Sequence, residues 1–314
     1  MYLCFMIKNT KLITILGPTA VGKTAFAASL AHKTGAEIIS ADSRQVFKGM
    51  DIGTGKDIAD YCIHGKHIPY HLIDIAEPGE EFSVFQFKQH FLQAYDDICK
   101  RDKYAIMCGG TGLYLESVLC GYDMREVPVN KLLRDNLQGK TEEELVVKLK
   151  SYKTLHNKTD IVSLERLLRA IEIEEYKLQH PYAADEPDFD KSLVFGLRFE
   201  RETIRKRISL RLHQRLEQGM VEEVQKLLDK GVPAQRLKSY GLEYKFITMY
   251  LLAELSYNEM VQLLNTAIHQ FAKRQMTWFR RMEQKGVKIY WLEGEKGQAY
   301  NLQQAEQIIK KQGV

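Results

Sequence analysis

The chain has 314 residues, which is enough for one large domain or for two domains that share an interface. Hydrophobic residues make up 45% and charged residues 27%, an ordinary balance for a soluble globular protein, and no apolar run approaches the roughly 20 residues that cross a bilayer. This composition argues against a membrane-spanning protein, while the net charge of +4 gives only weak support for an anionic partner.

The N-terminus and the cysteines bear on the cellular compartment. Met1 to Ile7 is apolar, but it is about half the length of a signal-peptide core and lacks a basic start and a small-residue cleavage site. We interpret it as a short disordered tip before the first strand. The five cysteines include no C-x-x-C pair, and their odd number is typical of reduced thiols in a cytosol. We expect a cytoplasmic protein.

The N-terminal part of the chain alternates strands, loops and helices. Strands are predicted at residues 11–16, 37–40 and 104–108, where short β-rich runs end at glycine or at an aspartate. Helices are predicted at residues 22–31, 84–99 and 113–119. Repetition of strand, loop and helix predicts an α/β fold with a P-loop NTPase-like parallel sheet flanked by helices. The order of the strands cannot be derived from the sequence.

The pattern changes near Gly121. From there to about Pro187 almost nothing predicts a strand, and a capping box at Thr141 and Glu144 starts a helix. A second amphipathic helix is predicted at residues 164–176, and residues 180–190, with two prolines, predict a loop. We therefore predict a helical insertion domain at residues 122–190, inside a core formed by residues 1–121 and 191–314.

The C-terminal part returns to the core. Residues 193–197 predict a strand that rejoins the sheet, and residues 287–292 predict a late strand. Long helices are predicted at residues 201–228 and, after a capping box at Ser256 and Glu259, at residues 256–284. A final helix is predicted at residues 301–311.

One motif indicates phosphate binding. It matches G-x-x-x-x-G-K-[ST] between a predicted strand and a predicted helix, and consists of Gly17, Pro18, Thr19, Ala20, Val21, Gly22, Lys23 and Thr24. The glycines let backbone N–H groups point inward as an anion nest, and the helix adds its positive N-terminal end. Lys23 supplies a mobile positive charge, and the Thr24 hydroxyl is placed to bind Mg²⁺. The motif predicts a diphosphate or triphosphate ligand.

Two further strand ends carry polar residues. Asp42 follows the second strand, and ligands of open α/β sheets lie beyond the carboxyl ends of strands. Asp42 could hold Mg²⁺ through water, accept a proton, or cap a helix. The run from Gly109 to Gly112 follows the third strand and contains Thr111, so it forms either a ligand contact or a tight turn.

The motifs together resemble the tRNA isopentenyltransferase family, the tRNA dimethylallyltransferases of bacterial type. The D-S-x-x-[VI]-[FY]-K-G-M-D-I-G-T continuation after the second strand is more specific than the phosphate loop, which many families share. The matching stretches span residues 11–295 and are 17–24 (GPTAVGKT), 39–54 (ISADSRQVFKGMDIGT), 71–78 (HLIDIAEP), 109–114 (GGTGLY), 166–172 (RLLRAIE), 207–224 and 272–279 (AKRQMTWF).

The resemblance implies a reaction. Members transfer a dimethylallyl group from dimethylallyl diphosphate to N6 of adenosine 37 in the anticodon loop of tRNA, and pyrophosphate leaves with the assistance of Mg²⁺. It implies that the phosphate loop holds the leaving pyrophosphate and that Lys23 meets its developing charge. It also implies that Asp42 is the general base and that Thr111 forms a hydrogen bond at the reacting centre.

The resemblance also implies contacts with tRNA. Asp42, Thr111 and the neighbouring Ser43, Arg44 and Gln45 would lie against the target nucleotide. Basic residues in the insertion could cover the RNA backbone, although interspersed acids also fit an ordinary solvated face. The individual candidates there are Arg134, Arg166 and Arg169. We expect a monomer.

Two departures from the family pattern are visible. Bacterial members usually carry a G-Y-R-E-like motif, whereas this chain has Gly241 followed by Leu-Glu-Tyr-Lys, so we expect Lys245 to replace the missing arginine. A Thr-Arg pair before the A-K-R-Q run is replaced by Ile268 and His269. Three rival functions share a phosphate loop, namely a small-molecule kinase, a prenyltransferase of free adenine nucleotides and a regulatory nucleotide-binding module.

Overall fold

The structure, a computed structural model, describes residues 11–124, 126–154, 161–180, 187, 189 and 192–312. The predicted N-terminal tip and most of the loop predicted at residues 180–190 lie outside these residues. The chain divides into two compact units, which we call the core unit (Met1–Tyr122 with Pro187–Val314) and the insertion unit (Asp123–Glu186). The prediction for the insertion was residues 122–190.

The core unit is built on a six-stranded parallel sheet. Its strands run in the order β5-β2-β6-β1-β7-β8. They are β1 (Leu12–Leu16), β2 (Glu37–Ser40), β5 (Tyr70–His71), β6 (Ala105–Gly109), β7 (Leu193–Arg198) and β8 (Ile289–Glu293), and a separate hairpin is formed by β3 (Cys62–Ile63) and β4 (Lys66–His67). The predicted parallel α/β sheet is confirmed.

The register of the sheet gathers the predicted motifs at one edge. Leu16, the last residue of β1, pairs with Gly109 of β6, and Ser40 of β2 pairs with Cys108 of β6. Since parallel strands end at the same edge, the phosphate loop, Asp42 and Thr111 follow neighbouring strand ends. All residues of β1, β2 and β6 are buried, and this explains the nearly continuous apolar sequences of β1 and β6.

Helices cover both faces of the sheet. Further helices pack against one another around a separate apolar cluster. One apolar cluster joins the sheet to α1 and α12, and a second joins its other face to α2 and α3. A third cluster lies among α7, α8, α10 and α11. The core helices are α1 (Lys23–Thr34), α2 (Val84–Lys100), α3 (Gly112–Leu119), α7 (Arg201–Glu217), α8 (Met220–Asp229), α9 (Ala234–Ser239), α10 (Leu242–Leu251), α11 (Tyr257–Gln284) and α12 (Gln298–Gln312).

The prediction of one long helix at residues 201–228 was wrong in one respect. The structure has two helices there, α7 and α8, separated at Gln218 and Gly219. Gly219 has φ +97°, a left-handed conformation that favours glycine and stops the helix. The sequence analysis also missed α9 and α10.

The insertion unit has three described helices, α4 (Lys131–Leu137), α5 (Glu142–Tyr152) and α6 (Leu164–Gln179). Leu145, Leu149, Leu167 and Ile171 form the centre of its own small apolar core. The predicted capping box is present, because the Thr141 side chain accepts from the Glu144 N–H and the Glu144 side chain accepts in return. None of the helices in the described ranges of either unit is both long and apolar enough to cross a membrane.

Candidate active site

The phosphate loop connects β1 to α1 through a backbone that requires glycine. At Gly17 (φ +156°) a Cβ atom would lie 2.6 Å from the carbonyl oxygen of Leu197, so a side chain there would clash with β7. Gly22 has φ +82° and directly precedes α1. The loop can therefore curl tightly over the N-terminal end of α1, as an anion nest requires.

Lys23 is an unusual lysine because burial lowers its pKa to about 8, with a smaller contribution from the positive charge of Arg211. Its Nζ donates to the carbonyl oxygen of Pro18 at 2.8 Å, which holds the amine inside the loop. A negatively charged group bound in the loop would favour the charged amine.

Three side chains that the sequence analysis missed hold the phosphate loop. Arg211 of α7 donates from Nη2 to Thr19 Oγ1 at 2.5 Å, and Arg207 donates from Nε to the Ala20 carbonyl at 2.8 Å. Gln275 of α11 accepts from the Thr19 N–H at 2.9 Å and donates to the Gly110 carbonyl at 2.8 Å. The spacing of four between Arg207 and Arg211 puts both on one face of α7 and was the available signal.

Asp42 lies at the predicted place, directly beyond β2. Its Oδ1 accepts from the Arg44 N–H at 2.9 Å, so one carboxylate oxygen shapes the following turn. Asp42 lines the same cleft as Lys23 and Thr24. Its second oxygen makes no hydrogen bond to any described residue, and this leaves an acceptor for a proton or a cation.

Thr111 and Ser43 join two strand ends. Thr111 Oγ1 accepts from the Ser43 N–H at 3.0 Å, and the two hydroxyl oxygens are 3.4 Å apart. Arg44 donates to Ser43 Oγ, and Gly241 packs so closely on Arg44 that a Cβ there would lie 2.8 Å from its Nε. Gln45 is buried, accepts from Ser40 Oγ at 2.9 Å and donates to the Gly55 carbonyl at 3.0 Å.

A polar cleft lies over the phosphate loop. Of the predicted site residues, it is lined by Thr19, Ala20, Gly22, Lys23, Thr24, Asp42 and Gln45. Asp57, Asp60, Tyr61, Cys108, Arg211 and Gln275 also line it and were not predicted as site residues. Thr111, Ser43, Arg44 and Lys245 are not among the residues that line this cleft.

The oxygen donors of the cleft suit a hard cation. Thr24 offers a hydroxyl, and Asp42, Asp57 and Asp60 offer carboxylates. Burial and the charge of Asp57 raise the pKa of Asp60. The described residues contain no group of three or more acidic, histidine or cysteine side chains that could hold a metal ion together. A hydroxyl with one or two carboxylates is a donor set that fits Mg²⁺, because this ion takes few protein ligands and fills its shell from phosphate and water.

The predicted arginines of the insertion unit differ in how they are used. Arg134 donates from Nε and Nη2 to the buried carboxylate of Glu172 at 2.6 and 3.0 Å, and Arg169 donates to the same carboxylate at 3.1 Å. Arg169 also donates to the Val127 carbonyl at 2.6 Å. Arg166 is exposed, and it forms no ion pair with the described residues. Its guanidinium is therefore available to a phosphate.

The expectation that Lys245 replaces the missing G-Y-R-E arginine stays a prediction. Lys245 is exposed and lies over the ring of Phe246 at 5.5 Å. Glu243, the second residue after Gly241, lines one small cavity together with Arg211 and Arg215 of α7. His269, at the place of the second missing arginine, lies 3.3 Å from Ser209 Oγ.

Comparison with known proteins identifies the family. Residues 45–282 match the family model described as IPP transferase, and residues 10–65 match the one described as Isopentenyl transferase. The chain belongs to the IPP transferase family. It is therefore a prenyltransferase, and the resemblance drawn from its motifs is confirmed.

Relatives of the IPP transferase family cover nearly the whole chain. The tRNA dimethylallyltransferase 1 of Parabacteroides distasonis is 55% identical over 91% of this chain and 93% of its own length. The tRNA dimethylallyltransferase 1 of Porphyromonas gingivalis is 56% identical over 90% of this chain and 93% of its own. The crystal structure of tRNA isopentenylpyrophosphate transferase from Bacillus halodurans superposes with a TM-score of 0.72 at 29% identity, over 97% of both chains.

Proposed function

We propose that this chain transfers a dimethylallyl group from dimethylallyl diphosphate to N6 of adenosine 37 in the anticodon loop of tRNAs, releasing pyrophosphate. The proposal rests on relatives named tRNA dimethylallyltransferase at about 55% identity. The observation that carries it is the cleft itself, where the phosphate loop and the carboxylate of Asp42 face one space. A diphosphate leaving group and an amine nucleophile need those two functions.

The leaving group would be held by the phosphate loop. Lys23 and Arg211 bring positive charge to the cleft, and the backbone N–H groups of residues 17–24 add dipoles. Thr24 would hold Mg²⁺, with Asp42 close by, and the bound cation would neutralise developing charge on pyrophosphate. Because an allylic diphosphate has no γ-phosphate, the loop would bind the leaving group of a prenyl donor instead of a nucleotide.

The nucleophile needs a base because the lone pair of N6 is delocalised into the adenine ring. Asp42 would accept the proton from N6 as the new C–N bond forms, using the oxygen that the turn leaves free. Thr111 would form a hydrogen bond at the reacting centre while its contact with Ser43 keeps the two strand ends together.

The target base has to leave the anticodon-loop stack to reach such a cleft. Ser43 and Arg44 lie next to Asp42 and would contact the extruded nucleotide, and Gln45 would shape the wall behind it. In the insertion unit, Arg166 would contact the RNA backbone, since single-stranded loops are recognised through phosphate and stacking contacts. We expect the enzyme to act in the cytoplasm as a monomer.

The function is tested by incubating the protein with dimethylallyl diphosphate and Mg²⁺ together with either tRNA or AMP. The expected product is prenylated adenosine in digested tRNA, with none formed from AMP. Prenylated AMP would instead support a prenyltransferase of free nucleotides. ATP hydrolysis without prenyl transfer would overturn the proposal in favour of a kinase or a related phosphate-transfer enzyme.

A further inference from the structure

A line of alternating charges leads away from the phosphate loop. Arg211 contacts Thr19 in the loop, and Arg215, one turn further along α7, lies 3.3 Å from the carboxylate of Asp57. Arg215 is only 6% exposed and packs under Gly55, where a Cβ atom would lie 2.2 Å from its Nη2. Arg215 is therefore largely shielded from solvent, and Arg211 is half-buried at the cleft.

Glu243 brings a carboxyl group to the same small cavity as the two arginines. It is the second residue of α10, whose first turn follows Gly241, and it lines one small cavity together with Thr19, Arg211 and Arg215. Burial raises the pKa of its carboxyl group, and the positive charges of Arg211, Arg215 and Arg44 act against that rise. Within the described residues no direct ion pair joins it to either α7 arginine, so it acts across the cavity through its charge.

Two guanidinium groups one helical turn apart repel each other, and burial strengthens the repulsion. Burial and then the charge of Arg215 lower the pKa of Arg211 to about 10. A carboxylate beside both groups offsets the repulsion and lowers the cost of keeping them out of water. Without it, Arg211 would gain free energy by turning away from Thr19 towards solvent.

We propose that Glu243 is a positioning residue for diphosphate binding, which keeps the guanidinium of Arg211 at the phosphate loop by offsetting the charge of Arg215. This inference rests on the proposed function, because it takes the diphosphate as the ligand of the loop. Glu243 acts through Arg211 and touches no reacting atom. Arg215 in turn links this pair to the cleft wall at Gly55 and Asp57.

The first test is Glu243→Gln, which removes the charge and keeps the shape. Inorganic pyrophosphate with Mg²⁺ is titrated into the protein by calorimetry, and the KM for dimethylallyl diphosphate is measured separately from kcat. We expect pyrophosphate to bind about tenfold more weakly, which corresponds to about 1.4 kcal/mol, and KM to rise with little change in kcat. The matched control is Glu254→Gln, which removes an exposed carboxylate paired with Lys238 and should leave both values unchanged.

The second test is the double variant Glu243→Gln with Arg215→Met. Because Arg215 is the source of the repulsion, its removal should restore most of the pyrophosphate affinity that Glu243→Gln loses, and a purely structural role of Glu243 predicts a further loss. Unchanged affinity in Glu243→Gln, or no recovery in the double variant, overturns the inference. If Glu243→Gln does not fold, the double variant is compared with the wild type, where a pyrophosphate affinity close to the wild-type value supports the inference and a loss of tenfold or more overturns it. A wild-type protein that binds pyrophosphate but prenylates no tRNA would contradict the proposed function and leave this inference standing.

Discussion

Two side chains of the cleft show how much a local environment changes an ordinary residue. Lys23 and Arg211 are cations whose pKa values are lowered, to about 8 and about 10, chiefly by burial. Each is held by an oxygen of the phosphate loop, Lys23 by the Pro18 carbonyl and Arg211 by the Thr19 hydroxyl. Both cations are therefore preorganised where a diphosphate would be bound.

The lowered pKa of Lys23 predicts a pH dependence. A pKa lowered to about 8 means that the charged amine is present below that pH and is lost as the pH rises above it. We therefore expect kcat/KM for dimethylallyl diphosphate to fall about tenfold per pH unit above pH 8, since kcat/KM reports ionisations of the free enzyme. Lys23→Arg keeps its charge and should shift this limb to higher pH. A profile that stays flat to pH 10 in the wild type would contradict the assignment.

The proposed base is tested by Asp42→Asn. The amide oxygen can still accept from the Arg44 N–H, so the turn after β2 should persist. Loss of the proton acceptor should lower kcat by about 10²- to 10⁴-fold, while the Kd for tRNA stays close to the wild-type value. The rate of prenyl transfer is measured in single-turnover experiments, and the Kd for tRNA is measured by filter binding. Near-normal turnover would show that Asp42 is not the base.

At the scale of elements, one carboxylate connects a loop to two helices. Glu223 of α8 accepts from the N–H groups of Asp51, Ile52 and Gly53 at 2.9, 2.7 and 3.0 Å, and from the hydroxyl of Tyr244 at 2.7 Å. This loop continues directly to Gly55 and Asp57 in the cleft wall. Three of these four hydrogen bonds come from the loop, so one charged group holds its backbone in place.

Glu223→Gln should loosen that loop. The amide nitrogen cannot accept, so at least one N–H group loses its partner at a cost of about 1–3 kcal/mol. We expect the melting temperature to fall by several degrees and the KM for dimethylallyl diphosphate to rise. Glu222→Gln is the matched control, because Glu222 is the exposed neighbour on the same helix and its loss should change neither quantity. If the two substitutions had equal effects, the hydrogen bonds between Glu223 and the loop would not be their cause.

Arg166 tests the insertion unit. Arg166→Ala should weaken tRNA binding and reduce the slope of log K against log salt by about 1, because one phosphate contact is lost. The KM for dimethylallyl diphosphate should not change. Lys226→Ala removes an exposed cation from α8 and serves as the control. An unchanged slope in Arg166→Ala would make α6 an ordinary solvated helix.

The elements show what the sequence could and could not predict. The three central strands were predictable because each is a short buried run that ends in a glycine or an aspartate. The break between α7 and α8 was missed because Gly219 lies within a continuous helical pattern, where a single glycine often persists. The edge strand β5 has only two residues, too few to show a period. Helices α9 and α10 were missed because their apolar residues pack against partners that lie elsewhere in the chain.

At the scale of the whole molecule, the cleft is assembled from distant parts of the chain. The motifs after β1, β2 and β6 were predictable as neighbours because parallel strands end together. The positions of Arg211 and Gln275 were not predictable, because they depend on how α7 and α11 pack against the sheet. The place of Glu243 beside Arg211 and Arg215 was not predictable either, because it depends on how α10 lies against α7.

The bond between Thr19 and Gln275 joins residues 256 positions apart. During translation the phosphate loop leaves the ribosome early, but Gln275 follows only after most of the chain has been made. At about 5–20 residues per second, the loop waits on the order of ten seconds or longer for this partner. The phosphate loop of a nascent chain therefore lacks its Gln275 contact until late in synthesis.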